Sequence, residues 1–169
     1  MRLQYCNKWF RAEKEPIDLW DEQTARKAHE EKKPFTVIAS VEEKPVGFLE
    51  VYYKHYYVGF LDEALREFVG YTFQPCEGKL FLTMAIHREY EGDSDSVIHC
   101  SSYFFESDGH LEVEDDDLLA KTASTRTGNV DVSSNWENFP EFGKYASIFR
   151  MERDISQTDH TEWDPAKRR

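Results

Sequence analysis

Residues 79–114, KLFLTMAIHREYEGDSDSVIHCSSYFFESDGHLEVE, decide the fold. From Lys79 to Tyr90 the residues Leu80, Leu82, Met84 and Ile86 recur at every second position, the period of a strand with one apolar face. Glu91-Gly92-Asp93 turns the chain, and Asp95 to Glu106 runs on as a strand through Val97, His99, Ser101 and Tyr103. Ser107-Asp108-Gly109 is a hairpin signal, because Asp-Gly supplies the positive φ that tight turns require. His110 to Glu114 returns. Strands joined in sequence by tight turns make an antiparallel meander.

The same pattern extends in both directions. Upstream, Phe35, Val37 and Ala39 alternate with Thr36, Ile38 and Ser40, and Glu42-Glu43-Lys44-Pro45 reads as a turn. Val46 to Tyr53, Tyr56 to Leu61 and Arg66 to Phe73 read as strands, with a turn at Asp62 to Ala64 and a loop at Gln74 to Gly78. Downstream, Leu118 to Thr127 and Lys144 to Met151 read as two more. One helix is expected, from Pro16 to Lys32: proline suits the first helical position, Asp18, Asp21 and Glu22 suit the positive end of the dipole, and Pro34 stops it. Ile17, Trp20, Thr24 and Ala28 give that helix an apolar stripe. The expected fold is therefore mainly β: an antiparallel meander closing into a barrel or half-barrel, lipocalin-like or fatty-acid-binding-protein-like, with one N-terminal helix. A single domain is expected over residues 1–153, and a flexible tail over the almost apolar-free residues 154–169.

The chain has 169 residues and a formal charge of -12 at pH 7. Its apolar and aromatic content is too high for a disordered chain. No apolar run approaches the roughly 20 residues of a membrane helix, and MRLQYCNKWFRAEKE has no signal-peptide core. These features predict a cytoplasmic protein without a membrane partner. A sequence pI of about 4.9 argues against nucleic acid as the ligand, since phosphates repel carboxylates. The charge is concentrated. Residues 91–141 hold 13 acids and two bases (Lys121, Arg126), net -11, whereas residues 1–90 hold 15 acids and 13 bases, net -2. Cys6, Cys76 and Cys100 are odd in number and widely spaced, which predicts reduced thiols.

Catalytic signatures are missing from the sequence. There is no H-E-x-x-H, G-x-S-x-G, Walker loop or G-x-G-x-x-G. His87, Glu89 and His99 fall on neighbouring strands and read as polar residues lining a sheet. The run Glu112, Glu114, Asp115, Asp116, Asp117 lacks the register of an EF-hand, so no metal, cofactor or enzymatic role is expected. What remains is an acidic surface that favours a basic partner. Its candidate residues are Glu106, Asp108, Glu112, Glu114, Asp115, Asp116, Asp117, Asp131 and Glu137, with Trp136 as an aromatic anchor. Phe139, Pro140, Phe142 and Tyr145 border the same region.

Four stretches carry a resemblance: FLDEALREFVGYTF (Phe60 to Phe73), KLFLTMAIHREYEGDSD (Lys79 to Asp95), YFFESDG (Tyr103 to Gly109) and DVSSNWENFPEFGKY (Asp131 to Tyr145). Together they resemble small bacterial immunity proteins of contact-dependent growth inhibition and related polymorphic toxin systems, including members with a lipocalin-like or fatty-acid-binding-like barrel. The resemblance implies a non-enzymatic antitoxin that binds the C-terminal toxin domain of its cognate effector and covers its active site. A nuclease toxin carries a basic cleft, for which an acidic face would stand in for the phosphate backbone. A small hydrophobic-ligand carrier is the alternative, and it predicts a large apolar interior pocket.

Overall fold

The structure is a computed structural model that describes residues 1–153; the tail expected over 154–169 lies outside them. Its strands are β1 (Arg2–Phe10), β2 (Glu15–Trp20), β3 (Phe35–Val41), β4 (Lys44–Val51), β5 (Tyr56–Leu61), β6 (Glu67–Cys76), β7 (Lys79–Tyr90), β8 (Val97–Phe105), β9 (His110–Asp117), β10 (Thr122–Asn129) and β11 (Trp136–Glu137). One helix, α1 (Glu22–Glu30), and a 3-10 turn at Ser133–Asn135 complete the described residues.

All strands belong to one antiparallel sheet, ordered β10-β9-β8-β7-β6-β5-β4-β3-β1-β2. From β3 to β10 the chain meanders, as the alternation predicts. The β8–β9 turn has Gly109 at φ 96°, and the Asp108 carboxylate accepts from the His110 N–H at 2.9 Å. β2 and β3 flank β1, so α1 serves as the crossover that carries the chain over that strand. β8 pairs with β7 only between Met84 and Tyr90, and β11 takes the stretch left over, with Trp136 opposite Phe81 and Glu137 opposite Leu80.

Five expectations need correcting. The helix begins at Glu22, where Asp21 accepts from the Thr24 N–H at 2.7 Å as an N-cap. Pro16, Ile17 and Trp20 lie instead in β2, an edge strand, where the missing proline N–H costs no ladder bond. The strand β1 ahead of it was not expected at all. Lys144 to Met151 forms turns, not a strand, and inserts Tyr145 and Ile148 into the core. Among the described residues β2 and β10 remain edges, so the sheet is open and does not close into a barrel. Finally, a bulge between Thr72 and Phe73 divides the apolar face expected for β7. Leu80 and Leu82 join the main core, while Met84 and Ile86 pair with Thr72 and Gly70 on the other face.

The face that carries α1 holds the larger core. Tyr5, Val37, Leu49, Val58, Tyr71, Phe73 and Val113 pack there under Ala25 and Ala28 of the helix, with Phe142, Tyr145 and Ile148 laid over them. Phe142 stacks on Tyr5 with ring centroids 5.1 Å apart. On the opposite face a second cluster gathers Cys6, Trp9, Ile38, Phe48 and Leu61. Two cross-strand glycines make that cluster possible. A Cβ on Gly59 would stand 2.3 Å from Phe48 Cζ, and one on Gly70 would stand 2.2 Å from the Tyr57 hydroxyl. The two rings fill space that a side chain at either position would take.

Candidate functional site

Strand register divides the acidic run. Glu112, Glu114 and Asp116 pair with Phe104, Ser102 and Cys100 of β8 and with Thr127, Thr125 and Ala123 of β10, so all three project from the face opposite α1. Among the described residues no basic group lies within salt-bridge distance of any of them. Phe104, 36% exposed, stands beside them, with Met84 and Ile86 half-buried on the next strand. Leu118 and Leu119, 50% and 69% exposed, form the tip between β9 and β10.

The other expected site residues do different work. Asp115 lies on the α1 face, accepts from the Ser101 hydroxyl at 2.5 Å and pairs with Arg126 at 3.4 Å. Asp117 accepts from the Ala120 N–H at 2.7 Å and shapes the β9–β10 turn, while Asp131 accepts from the Ser133 N–H at 2.8 Å ahead of the 3-10 turn. Glu137 is neutralised within the chain by Arg150 at 3.2 Å and Arg153 at 2.9 Å. Trp136 packs on Phe81, ring centroids 4.7 Å apart, at the core margin. Phe142 and Tyr145 likewise turn inward, which leaves only Phe139 exposed among the bordering aromatics. Glu106 and Asp108 sit exposed at the β8–β9 turn.

A second site was not legible in the sequence. On the face opposite α1, the tip of the β1–β2 hairpin reaches across the sheet. Arg11 clamps Glu50 with two hydrogen bonds, at 3.1 and 3.2 Å, and gives its Nε–H to Glu67 at 3.0 Å. Arg88 donates to the other Glu67 oxygen at 2.5 Å, and so does the Tyr57 hydroxyl. The Tyr90 hydroxyl donates to the Glu67 carbonyl at 2.8 Å. Both carboxylates are almost enclosed, Glu50 being 6% and Glu67 9% exposed. Burial alone would lower the guanidinium pKa of Arg11 and of Arg88, but Glu50 and Glu67 outweigh it at Arg11, and Glu67 and Tyr57 at Arg88, so both are raised. Burial, reinforced by the Glu67 charge, raises Tyr57. Lys14 reaches Asp95 at 2.7 Å beyond β7, and Arg66 is held by Asp62 at 2.8 Å. Between the hairpin tip and the turns that follow β5 and β7 lies a cavity of about 510 Å³.

No group of three or more metal-ligating side chains occurs among the described residues. His99 approaches Glu89 at 3.7 Å on the sheet surface. All three cysteines are free, and burial pushes the Cys6 thiol up to about 12. No described helix is long and apolar enough to cross a membrane. Comparison with protein-family models, with characterised proteins and with solved structures gave no match to this chain.

Proposed function

We propose that this chain is an immunity protein, a non-enzymatic cytoplasmic antitoxin that binds the basic C-terminal toxin domain of a cognate effector. The open sheet is read as the half-barrel of the expected fold. The observation that carries the reading is the carboxylate ladder Glu112, Glu114 and Asp116 on the open face of β8–β9–β10, without basic partners among the described residues. Like charges held side by side repel, so a folded chain gains from a partner that brings cations to them. The same ladder would steer a basic domain to this face and make its association sensitive to salt. Phe104, Leu118 and Leu119 supply the apolar contacts that a charged rim surrounds in a stable interface. A nuclease, whose cleft must attract phosphates, is the toxin class such a face fits.

The triple variant Glu112→Gln, Glu114→Gln, Asp116→Asn tests this. Titrated against the toxin domain encoded beside this chain, it loses affinity by about 100-fold or more at low salt, on the scale measured for close interfacial charge pairs. It also fails to protect cells that express the toxin. Unchanged affinity and protection would sink the reading.

A further inference from the structure

We propose that the cavity under the β1–β2 hairpin tip binds a small organic monocarboxylate, with Arg88 as the partner of its carboxylate group. The inference is independent of the acidic ladder. At about 510 Å³ the cavity falls in the size range of small-molecule sites, roughly 300–1,000 Å³. Its charged groups are mostly committed to one another. Glu67 has both oxygens occupied, by Tyr57 and Arg88 on one and by Arg11 on the other. Lys14 is held by Asp95, and Arg66 by Asp62 and the carbonyls of Gly92 and Ser94. Arg88 is the least committed of them, with four donors to spare where Lys14 has two. A guanidinium has five donors, and this one gives a single hydrogen bond to Glu67 and approaches the Tyr57 hydroxyl. Arg88 lines the cavity and its side chain keeps 24% of its surface exposed, so its remaining donors are open to a ligand, and a guanidinium matches a carboxylate with two parallel N–H groups.

The rest of the wall describes the body of the ligand. Trp9, Leu61, Leu65 and Val97 line the cavity with apolar surface, so the carboxylate must carry a hydrocarbon part. Charge decides against a phosphate. Four cations, Arg11, Lys14, Arg66 and Arg88, are balanced around the cavity by Glu50, Asp62, Glu67 and Asp95. A dianion would bring two negative charges into that balanced set, within a chain of net charge -12, where a monocarboxylate brings one.

Calorimetric titration of the full chain with acetate, hexanoate and 4-phenylbutyrate, with 4-phenylbutyramide and with inorganic phosphate tests the proposal. Hexanoate or 4-phenylbutyrate binds with one-to-one stoichiometry. Acetate and phosphate bind far more weakly, and the carboxamide is weaker by about tenfold or more, the loss of a charge-assisted hydrogen bond. Arg88→Gln lowers the affinity by a similar factor. Val97→Trp, which fills the cavity from a residue that is itself in no ion pair, abolishes binding and decides the matter if Arg88→Gln does not fold. The proposal is overturned if none of the carboxylates binds, if the amide or phosphate binds as tightly as the acids, or if Val97→Trp leaves binding intact.

Discussion

The face of the sheet opposite α1 carries carboxylates in two settings. At the β4–β6 end, Glu50 and Glu67 lie beneath the hairpin tip, and each of their oxygens accepts a hydrogen bond. Three strands beyond β6 on the same face, Glu112, Glu114 and Asp116 stand in a row with no such partners among the described residues. The difference follows from burial. A carboxylate taken out of water must be paired or it destabilises the fold, whereas one left in water needs no partner. The buried pair is thus accounted for by stability. The row on β9, exposed at Glu114 and half-buried at Glu112 and Asp116, is the part of this face that folding does not require.

Substitutions can break that contrast, and the largest effect belongs to the buried end. Glu67→Ala strands Arg88 and the Tyr57 hydroxyl beside a cavity, leaves Arg11 with Glu50 alone, and costs about 3–5 kcal/mol in urea unfolding, the usual result of removing one partner of a buried pair. A cost below 1 kcal/mol would show the network to be as dispensable as a surface bridge. Next comes Gly70→Ala, whose methyl group displaces Tyr57 from Glu67 and costs about 1–3 kcal/mol by overpacking. At the exposed end, the triple neutralisation of Glu112, Glu114 and Asp116 shifts stability by no more than about 0.5 kcal/mol, as surface changes do. A larger loss in the same unfolding measurement would make the ladder structural.

The smallest effect lies on the α1 face. His29 is packed among Phe35, Tyr53 and Phe142, and burial lowers its pKa, with Arg26 adding to the lowering and Glu30 opposing it. The unfolded chain therefore holds the proton more tightly than the folded one. The stabilisation is complete above about pH 6.5, the ordinary histidine value, and is lost as pH falls below it. Thermal midpoints at pH 7.5 and 5.5 should drop by more in the native chain than in His29→Gln. Equal drops would remove His29 from the account.

The sheet was legible where β-branched and aromatic residues run between clear turn signals, as in β3, which is buried on both faces, and around Asp108-Gly109. It was illegible where alternation fails. β2 is exposed at most positions, so its residues lent Ile17 and Trp20 to a false helical stripe. In β1 the buried positions run Tyr5, Cys6 and Trp9, with Asp18 opposite the break at φ 52°, and no period shows through. The cavity was hidden for another reason. Arg11, Glu50, Glu67 and Arg88 lie 21 to 56 residues apart between bonded partners, and each reads singly as an ordinary outward-facing polar residue. Glu50 alone offered a hint, as a lone charge in the apolar run from Phe48 to Val51. The acidic run was visible in composition, yet only register separates the projecting Glu112, Glu114 and Asp116 from Asp115 and Asp117.

An open sheet leaves two rows of backbone donors and acceptors that another chain could extend. Here neither row makes a good template. β2 carries Pro16, which has no N–H to offer, and Asp18 in a left-handed conformation that bends the ladder. β10 is Thr122–Asn129, exposed throughout and built of small polar residues around Arg126, with no apolar side chain larger than alanine to hold an added strand. A sheet that never joins its own ends is in this way kept from joining those of its neighbours, and its open face stays available for a partner of a different kind.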